Sequence, residues 1–129
     1  MGTRSTIGFI DKYSDGEVTI CKVYQQYDGY LSCVGLHLGE FLKSGTCVNG
    51  IGMDDKKVFN GLGCLAAQYI AETKQGAGGL YMTRLDDSQE YDYNVVWDNE
   101  TMTVFVRYEG KEYTVDDWIE FCNKEEDEE

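Results

Sequence analysis

Hydrophobic and polar residues near the start of the chain follow the pattern of two β-strands. Thr6–Ile10 is a short, mostly apolar run, and Glu17–Gln26 places apolar side chains on both of its faces. Asp15 and Gly16, which lie between the two runs, form a dipeptide that favours a tight turn. The pattern predicts an antiparallel hairpin whose second strand lies inside a sheet.

The next periodic segment is helical. Apolar side chains recur at helical spacing in Ser32–Lys43, where Ser32 is suited to cap the N-terminus and Gly45 the C-terminus. Gly35 and Gly39 lie inside this helix, and each costs about 1 kcal/mol relative to alanine. These glycines therefore indicate that the helix is held by close packing against another segment.

A broader apolar stripe predicts the central helix. It runs from about Lys56 to Thr73, follows a loop at Thr46–Met53, and has Asp54 or Asp55 available as its N-terminal cap. The hydrophobic positions of this segment cover a wide face, which is typical of a helix that is buried against a sheet.

Strand patterns return after the glycine-rich segment Gln75–Gly79. Further strands are predicted at Leu80–Leu85, Tyr91–Trp97, Thr101–Tyr108 and Glu112–Val115, and Asp116 is suited to cap a last helical turn. This order of elements predicts an α+β fold that forms one domain over residues 1–124. Its mainly antiparallel sheet of about five or six strands carries two main helices on one face and a short C-terminal helix.

Negative charge is concentrated toward the C-terminus. The 129-residue chain has a net charge of −13, and residues 90–129 contain fourteen acidic and three basic side chains. Residues 125–129 are all acidic, and such a run is usually a disordered, solubilising tail. Because there is no basic stripe, the composition argues against direct binding of nucleic acid, whereas it suits a protein that imitates a polyanion.

The cysteines and the single histidine argue against disulfides and metals. The chain has five cysteines, an odd number, and no two of them have CxxC spacing. This pattern indicates free thiols in a reducing compartment. With His37 as the only histidine and no clustered thiolates, no metal site is expected. No apolar run reaches the length of a membrane span, so we expect a soluble, cytoplasmic protein.

Three segments carry side chains suited to recognition. They are the N-terminal Gly2–Thr6, the strand-to-helix corner Gln25–Tyr30 and the helical run Asn60–Gln68. Structural roles would also explain them, namely a solvated terminus, an Asp-Gly turn with aromatic packing, and helix packing through small residues. The candidate ligand-binding residues are Arg4, Ser5, Gln25, Tyr27, Asp28, Tyr30, Asn60 and Gln68.

Catalytic signatures are lacking, so we predict no catalytic residue and no cofactor. Cys33 and His37 are spaced as neighbours on a helix face, but such a pair is more often a coincidence of spacing than a nucleophile with its base. Asn60–Gln68 contains glycines but lacks the order of a phosphate-binding loop and does not follow a predicted strand.

The order of several motifs resembles that of a known family of proteins. The chain resembles small uncharacterised proteins of bacteriophages and some bacteria in four motifs. These are an initial GTRS at residues 2–5, the corner Tyr24–Tyr30, the VNG of residues 48–50 and the NGLGCLAAQ of residues 60–68. The resemblance covers about residues 1–83. It implies a viral accessory protein in the host cytosol and implies no established activity. Leu31 departs from the pattern, in which proline often follows the tyrosine.

Three functions are compatible with these features. The first is a non-enzymatic phage accessory protein, of use in counter-defence, that sequesters a small polar, nucleotide-like ligand through aromatic faces, amides and Arg4. The second is an acidic interaction protein that blocks a basic groove of a host protein. The third is a small hydrolase that uses the acid of the corner. A homodimer is a further expectation, because symmetric pairs are common.

Overall fold

The computed structural model describes residues 3–48 and 57–126. Its elements form a six-stranded sheet, a two-stranded sheet and three α-helices, the first of which follows a π-helical turn. In chain order they are β1 (Ser5–Tyr13), β2 (Gly16–Gln25), the π-helical turn (Leu31–Gly35), α1 (Leu36–Lys43), β3 (Thr46–Val48), β4 (Val58–Asn60), α2 (Gly61–Thr73), β5 (Leu80–Thr83), β6 (Tyr91–Asp98), β7 (Thr103–Tyr108), β8 (Lys111–Thr114) and α3 (Val115–Glu126).

The large sheet has the strand order β5-β2-β1-β6-β7-β8. All of its neighbouring strands are antiparallel except β1 and β6, which are parallel. The turn between β7 and β8 uses Glu109 and Gly110, both with positive φ (50° and 78°), which suits the twist of a two-residue hairpin. The structure thus confirms the α+β class and the mainly antiparallel sheet.

All three helices cover the same face of this sheet. The rings of Phe9 and Tyr69, on β1 and α2, lie 6.1 Å apart, and the rings of Tyr93 and Trp118, on β6 and α3, lie 5.7 Å apart. These four side chains are fully buried. Among the described residues, no helix is both long and apolar enough to cross a membrane.

Glycines set the packing of α1 against α3, as their spacing indicates. A Cβ on Gly39 would lie 2.9 Å from Cδ1 of Trp118, so only glycine leaves room for the indole at this position. The same indole donates its N–H to the carbonyl oxygen of Gly35 at 2.8 Å, which satisfies a buried acceptor.

The N-terminal ends of the first two helices differ from the expectation. Helical structure begins with the π-helical turn, so Ser32 lies inside it and is not the N-terminal cap. The second helix begins at Gly61 instead of Lys56, because residues 58–60 form β4, which pairs in parallel with β3 in the segment expected to be a loop. The expected caps Asp54 and Asp55 lie outside the described residues.

The C-terminal helix is longer than a single turn. α3 has 12 residues because Trp118 and Cys122, four residues apart, are both fully buried against the rest of the fold. Its backbone continues to Glu126, past the expected domain boundary at residue 124. Residues 127–129 lie outside the described part of the chain.

Candidate functional site

The N-terminal segment and the strand-to-helix corner meet through their backbones. The N–H of Gly29 donates to the carbonyl oxygen of Thr3 at 2.9 Å. A Cβ on Gly29 would lie 2.9 Å from Cβ of Ser5 and 3.0 Å from the backbone carbonyl of Arg4. The approach is closer than any side chain permits, so the glycine of the corner is a packing requirement.

The rest of the fold holds the corner in one conformation. The buried hydroxyl of Tyr93 donates to the carbonyl oxygen of Gly29 at 2.6 Å. The N–H of Val34 donates to the carbonyl oxygen of Asp28 at 3.1 Å. Asp28 has φ of 57°, in the left-handed region that aspartate and asparagine tolerate best among residues with a side chain. This backbone conformation sets the direction in which the Asp28 side chain leaves the main chain.

A cleft opens beside the corner. It has a volume of about 500 Å³ and lies between the corner, the C-terminal end of α2 and the glycine-rich segment before β5. Ligand pockets commonly have about 300–1,000 Å³, so this volume suits a small molecule. The lining residues are Gln25, Tyr27, Asp28, Thr73, Gln75 and residues 78–80.

Lys74 shapes the glycine-rich wall of the cleft. Its ammonium donates to the carbonyl oxygens of Ala77, Gly78 and Leu80 at 3.2, 3.2 and 2.6 Å. The N–H of Gln26 adds a bond to the carbonyl oxygen of Gly79 at 2.8 Å. The wall is therefore tied both to α2 and to the corner.

Two hydrogen bonds connect the C-terminal half of α2 to neighbouring elements. The phenol of Tyr69 donates to Oε1 of Gln25 at 2.6 Å, and Nε2 of His37 lies 3.3 Å from Oγ1 of Thr73. Burial raises the pKa of the Tyr69 phenol well above its usual range, although the hydrogen bond from Thr73 opposes the shift. Tyr69 is therefore protonated at neutral pH and donates to the amide.

Three of the residues predicted from the sequence to bind a ligand line the cleft. Gln25, Tyr27 and Asp28 line it, whereas Thr73, Gln75 and the glycine-rich segment were not among the candidates. Tyr69 and Thr73 lie four residues apart on α2, a spacing that puts both on one helix face. The spacing predicts that the two residues share a helix face, but no local sequence pattern shows that this face meets the corner.

Arg4, Ser5 and Tyr30 lie in or beside the corner without lining the cleft. Arg4 is exposed, and its carbonyl oxygen accepts from the N–H of Tyr91 at 3.3 Å. Ser5 is fully buried, and its hydroxyl has no hydrogen-bond partner among the described residues. Tyr30 is 37% exposed and packs edge-on against the ring of Tyr91.

Asn60, at the end of β4, and Gln68, on α2, do not line the cleft. Nε2 of Gln68 donates to the carbonyl oxygen of Val58 at 2.7 Å, which ties α2 to β4. Asn60 immediately precedes α2, whereas Thr73 is its last residue, and a helix of 13 residues is about 20 Å long. The C-terminal end of α2, and not its start, therefore lies beside the corner.

A second polar cluster lies on the sheet face opposite the helices. Nζ of Lys22 lies 3.2 Å from Oδ1 of Asp92, which also accepts from the hydroxyl of Thr6 at 2.7 Å. Lys22 is 7% exposed, and Gly8 beside it leaves room for Asn94, whose Oδ1 would lie 2.4 Å from a Cβ at position 8. The buried ammonium is thus paired with a carboxylate, as buried charges require. We infer a structural role for this pair.

A larger groove lies elsewhere on the molecule and is crossed by an ion pair. It has a volume of about 620 Å³ and lies between α1 and α3, around Ile119. Lys43 and Asp116 are 2.5 Å apart across its rim, and their side chains are 63% and 75% exposed. Their exposure leaves the pair screened by solvent, and the polar residues that line this groove are all exposed.

The cleft beside the corner is therefore the strongest candidate site. It combines an exposed aromatic ring, an oriented amide, a carboxylate on a constrained backbone and a hydroxyl joined to a buried phenol. Such a set can stack on a planar molecule and recognise the polar groups at its edge. Comparison of the chain with protein-family models, with curated proteins and with solved structures finds no match.

Proposed function

We propose that the protein is a non-enzymatic binding protein that sequesters a small polar, nucleotide-like ligand in the cleft beside the corner. One observation carries the proposal: Gln25, Tyr27 and Asp28, which are consecutive or nearly so in the chain, line one cleft of about 500 Å³ together with Thr73 of α2. The ring of Tyr27 is 56% exposed, which leaves a face available for stacking. Stacking on an aromatic side chain contributes about 1–3 kcal/mol per base.

The setting that we propose is that of a phage accessory protein acting in the host cytosol. The resemblance of residues 1–83 to phage-encoded proteins supports it. A phage benefits from removing a nucleotide signal on which host defence depends, and sequestration requires tight binding without turnover. The bond from Tyr69 to Gln25 suits this task, because an oriented amide binds without first having to be ordered.

Copurification and thermal stability test the proposal together. Protein purified from an infected or signalling host should release an ultraviolet-absorbing small molecule, chemically unchanged, on denaturation. The empty protein should gain Tm in the presence of at least one member of a panel of nucleosides and nucleotides. Tyr27→Ala should abolish this gain. Tyr13→Ala provides a matched control, because Tyr13 is 46% exposed and lies at the end of β1, outside the lining of the cleft.

Two results would count against sequestration. Release of a reaction product in place of the intact ligand would indicate an enzyme, and loss of turnover in Asp28→Asn would then identify a hydrolase. A protein that is empty after purification and whose Tm does not respond to the panel would refute the proposal.

A second candidate function rests on the surface of α3. Asp116, Asp117 and Glu120 are all exposed on its first two turns and form an acidic surface. Such a surface suits a basic groove on a host protein, whose association would weaken as salt increases. Replacing the three acids with their amides would abolish that association and leave ligand binding in the cleft intact. Tyr27→Ala would have the opposite effect, so the two functions are separable.

A further inference from the structure

The charge of the cleft limits what it can bind. Among the described residues that line it, Asp28 is the only charged side chain. Arg4, the cation of the site expected from the sequence, does not line the cleft, and the ammonium of Lys74 already contacts the carbonyl oxygens of Ala77, Gly78 and Leu80. A phosphate inside the cleft would therefore face a carboxylate with no cation in the lining, which is unfavourable.

The hydrogen-bonding pattern is equally restrictive. Oε1 of Gln25 accepts from the Tyr69 phenol, which burial keeps protonated, so the amide presents its Nε2 donors to other partners. The carboxylate of Asp28 is an acceptor only. The lining thus places an N–H donor and a two-oxygen acceptor three residues apart at one corner.

This pattern is complementary to one kind of heterocycle. We propose that the ligand enters as an uncharged base or nucleoside whose edge presents a carbonyl oxygen beside N–H donors, as guanine does. This inference rests on the proposed function. The carbonyl oxygen accepts from Gln25, the N–H groups donate to Asp28, and the ring stacks on Tyr27. A phosphate on such a ligand remains in solvent, outside the cleft.

The chain offers a substitution that removes the charge and one acceptor oxygen and keeps the size of the side chain. Asparagine shares the tolerance of aspartate for the left-handed region, so Asp28→Asn preserves the backbone at φ of 57°. Asp28→Gly preserves it as well and removes the side chain. Asp15→Asn is a matched control, since Asp15 is exposed in the turn between β1 and β2 and does not line the cleft.

Calorimetric titration of the full chain with guanosine, inosine, adenosine and guanosine monophosphate tests the inference. We expect guanosine to bind and adenosine, which lacks the carbonyl oxygen and the ring N–H, to bind at least about tenfold more weakly. Inosine, which lacks the exocyclic amine, should fall between them. The monophosphate should bind no more tightly than guanosine. Asp28→Asn and Asp28→Gly should weaken guanosine binding by about tenfold to a hundredfold, as loss of a hydrogen bond to a charged group does, whereas Asp15→Asn should leave it unchanged.

The outcomes separate this inference from the proposed function. If the monophosphate binds tenfold more tightly than guanosine and Tyr27→Ala abolishes that binding, the cleft is a nucleotide site and the inference about its charge is wrong. Equal affinity for adenosine and guanosine, or unchanged guanosine affinity in both Asp28 variants at unchanged Tm, would also overturn it. Failure of all four compounds to bind would overturn the inference. The proposed function would fall as well only if the wider nucleotide panel and copurification were negative.

Discussion

Replacement of Gly29 by alanine tests the contact that joins the N-terminal segment to the corner. The added Cβ would lie 2.9 Å from Cβ of Ser5 and 3.0 Å from the carbonyl carbon and oxygen of Arg4. Because these atoms belong to β1 or to the residue before it, none can move as the end of a flexible side chain would. The corner must therefore shift away from β1.

The expected cost follows from what that shift disturbs. Overpacking of this kind costs about 1–3 kcal/mol. A shift would also weaken the bonds that Gly29 makes with Thr3, at 2.9 Å, and with the hydroxyl of Tyr93, at 2.6 Å. Each such bond contributes about 0.5–1.5 kcal/mol. We expect the variant to lose about 2–4 kcal/mol of unfolding free energy and about 10 °C in Tm.

Urea unfolding followed by tryptophan fluorescence measures this loss. The chain has two tryptophans, and both Trp97 and Trp118 are buried, so their emission reports on the core. Gly63→Ala is the matched control, because a Cβ at that position of α2 meets nothing within 4 Å. It should be neutral or stabilise the protein by up to about 1 kcal/mol through helix propensity. A Gly29→Ala protein within about 0.5 kcal/mol of the wild type would show that the contact is not tight.

Three further predictions concern stability and reactivity. Ser5→Ala should leave the unfolding free energy unchanged or raise it by up to about 1 kcal/mol, because it removes a buried hydroxyl that has no partner among the described residues; a loss above about 1 kcal/mol by urea unfolding would contradict this. The hydrogen bond from Arg107 lowers the pKa of Glu17 below its ordinary 4.5, so the folded state should gain stability from this group above that pH and lose it as the pH falls through the lowered pKa. The stability difference between wild type and Glu17→Gln, measured from pH 7 down to pH 2, should therefore shrink on acidification, and a constant difference would argue against the pair. Cys33 is exposed and Cys122 fully buried, so a thiol reagent should modify Cys33 before Cys122 in the native protein, as peptide mapping would reveal.

Local chemistry allowed much of the fold to be predicted from the sequence. The hairpin of β1 and β2 depends on the dipeptide Asp15-Gly16, and that of β7 and β8 on Glu109 and Gly110, so neighbouring residues encode both. The helical periodicity of α1 and α2 is also local. Contacts between residues distant in sequence were not predictable in this way. One example is the parallel pairing of β1 with β6, which aligns Ser5 with Tyr91.

The start of α2 shows how a tertiary contact can override a local preference. The periodic pattern favoured a helix from Lys56, yet residues 58–60 pair with residues 46–48, and Gln68 binds the carbonyl oxygen of Val58. Periodicity cannot distinguish one turn of helix from three residues of strand when a partner strand is available. The same limit applies to Lys22, whose burial depends on Asp92 of a distant strand.

Local sequence patterns specify the α+β class, the hairpin of β1 and β2 and the presence of a polar, aromatic corner that contains Gln25, Tyr27 and Asp28. These features depend on turn residues and on periodicity, which act between near neighbours. Tertiary packing, in contrast, brings Thr73 of α2 and a glycine-rich wall into the cleft and leaves Arg4, Asn60 and Gln68 outside its lining. The packing of buried side chains brings together the ends of elements that are far apart in sequence, and no local pattern specifies that packing.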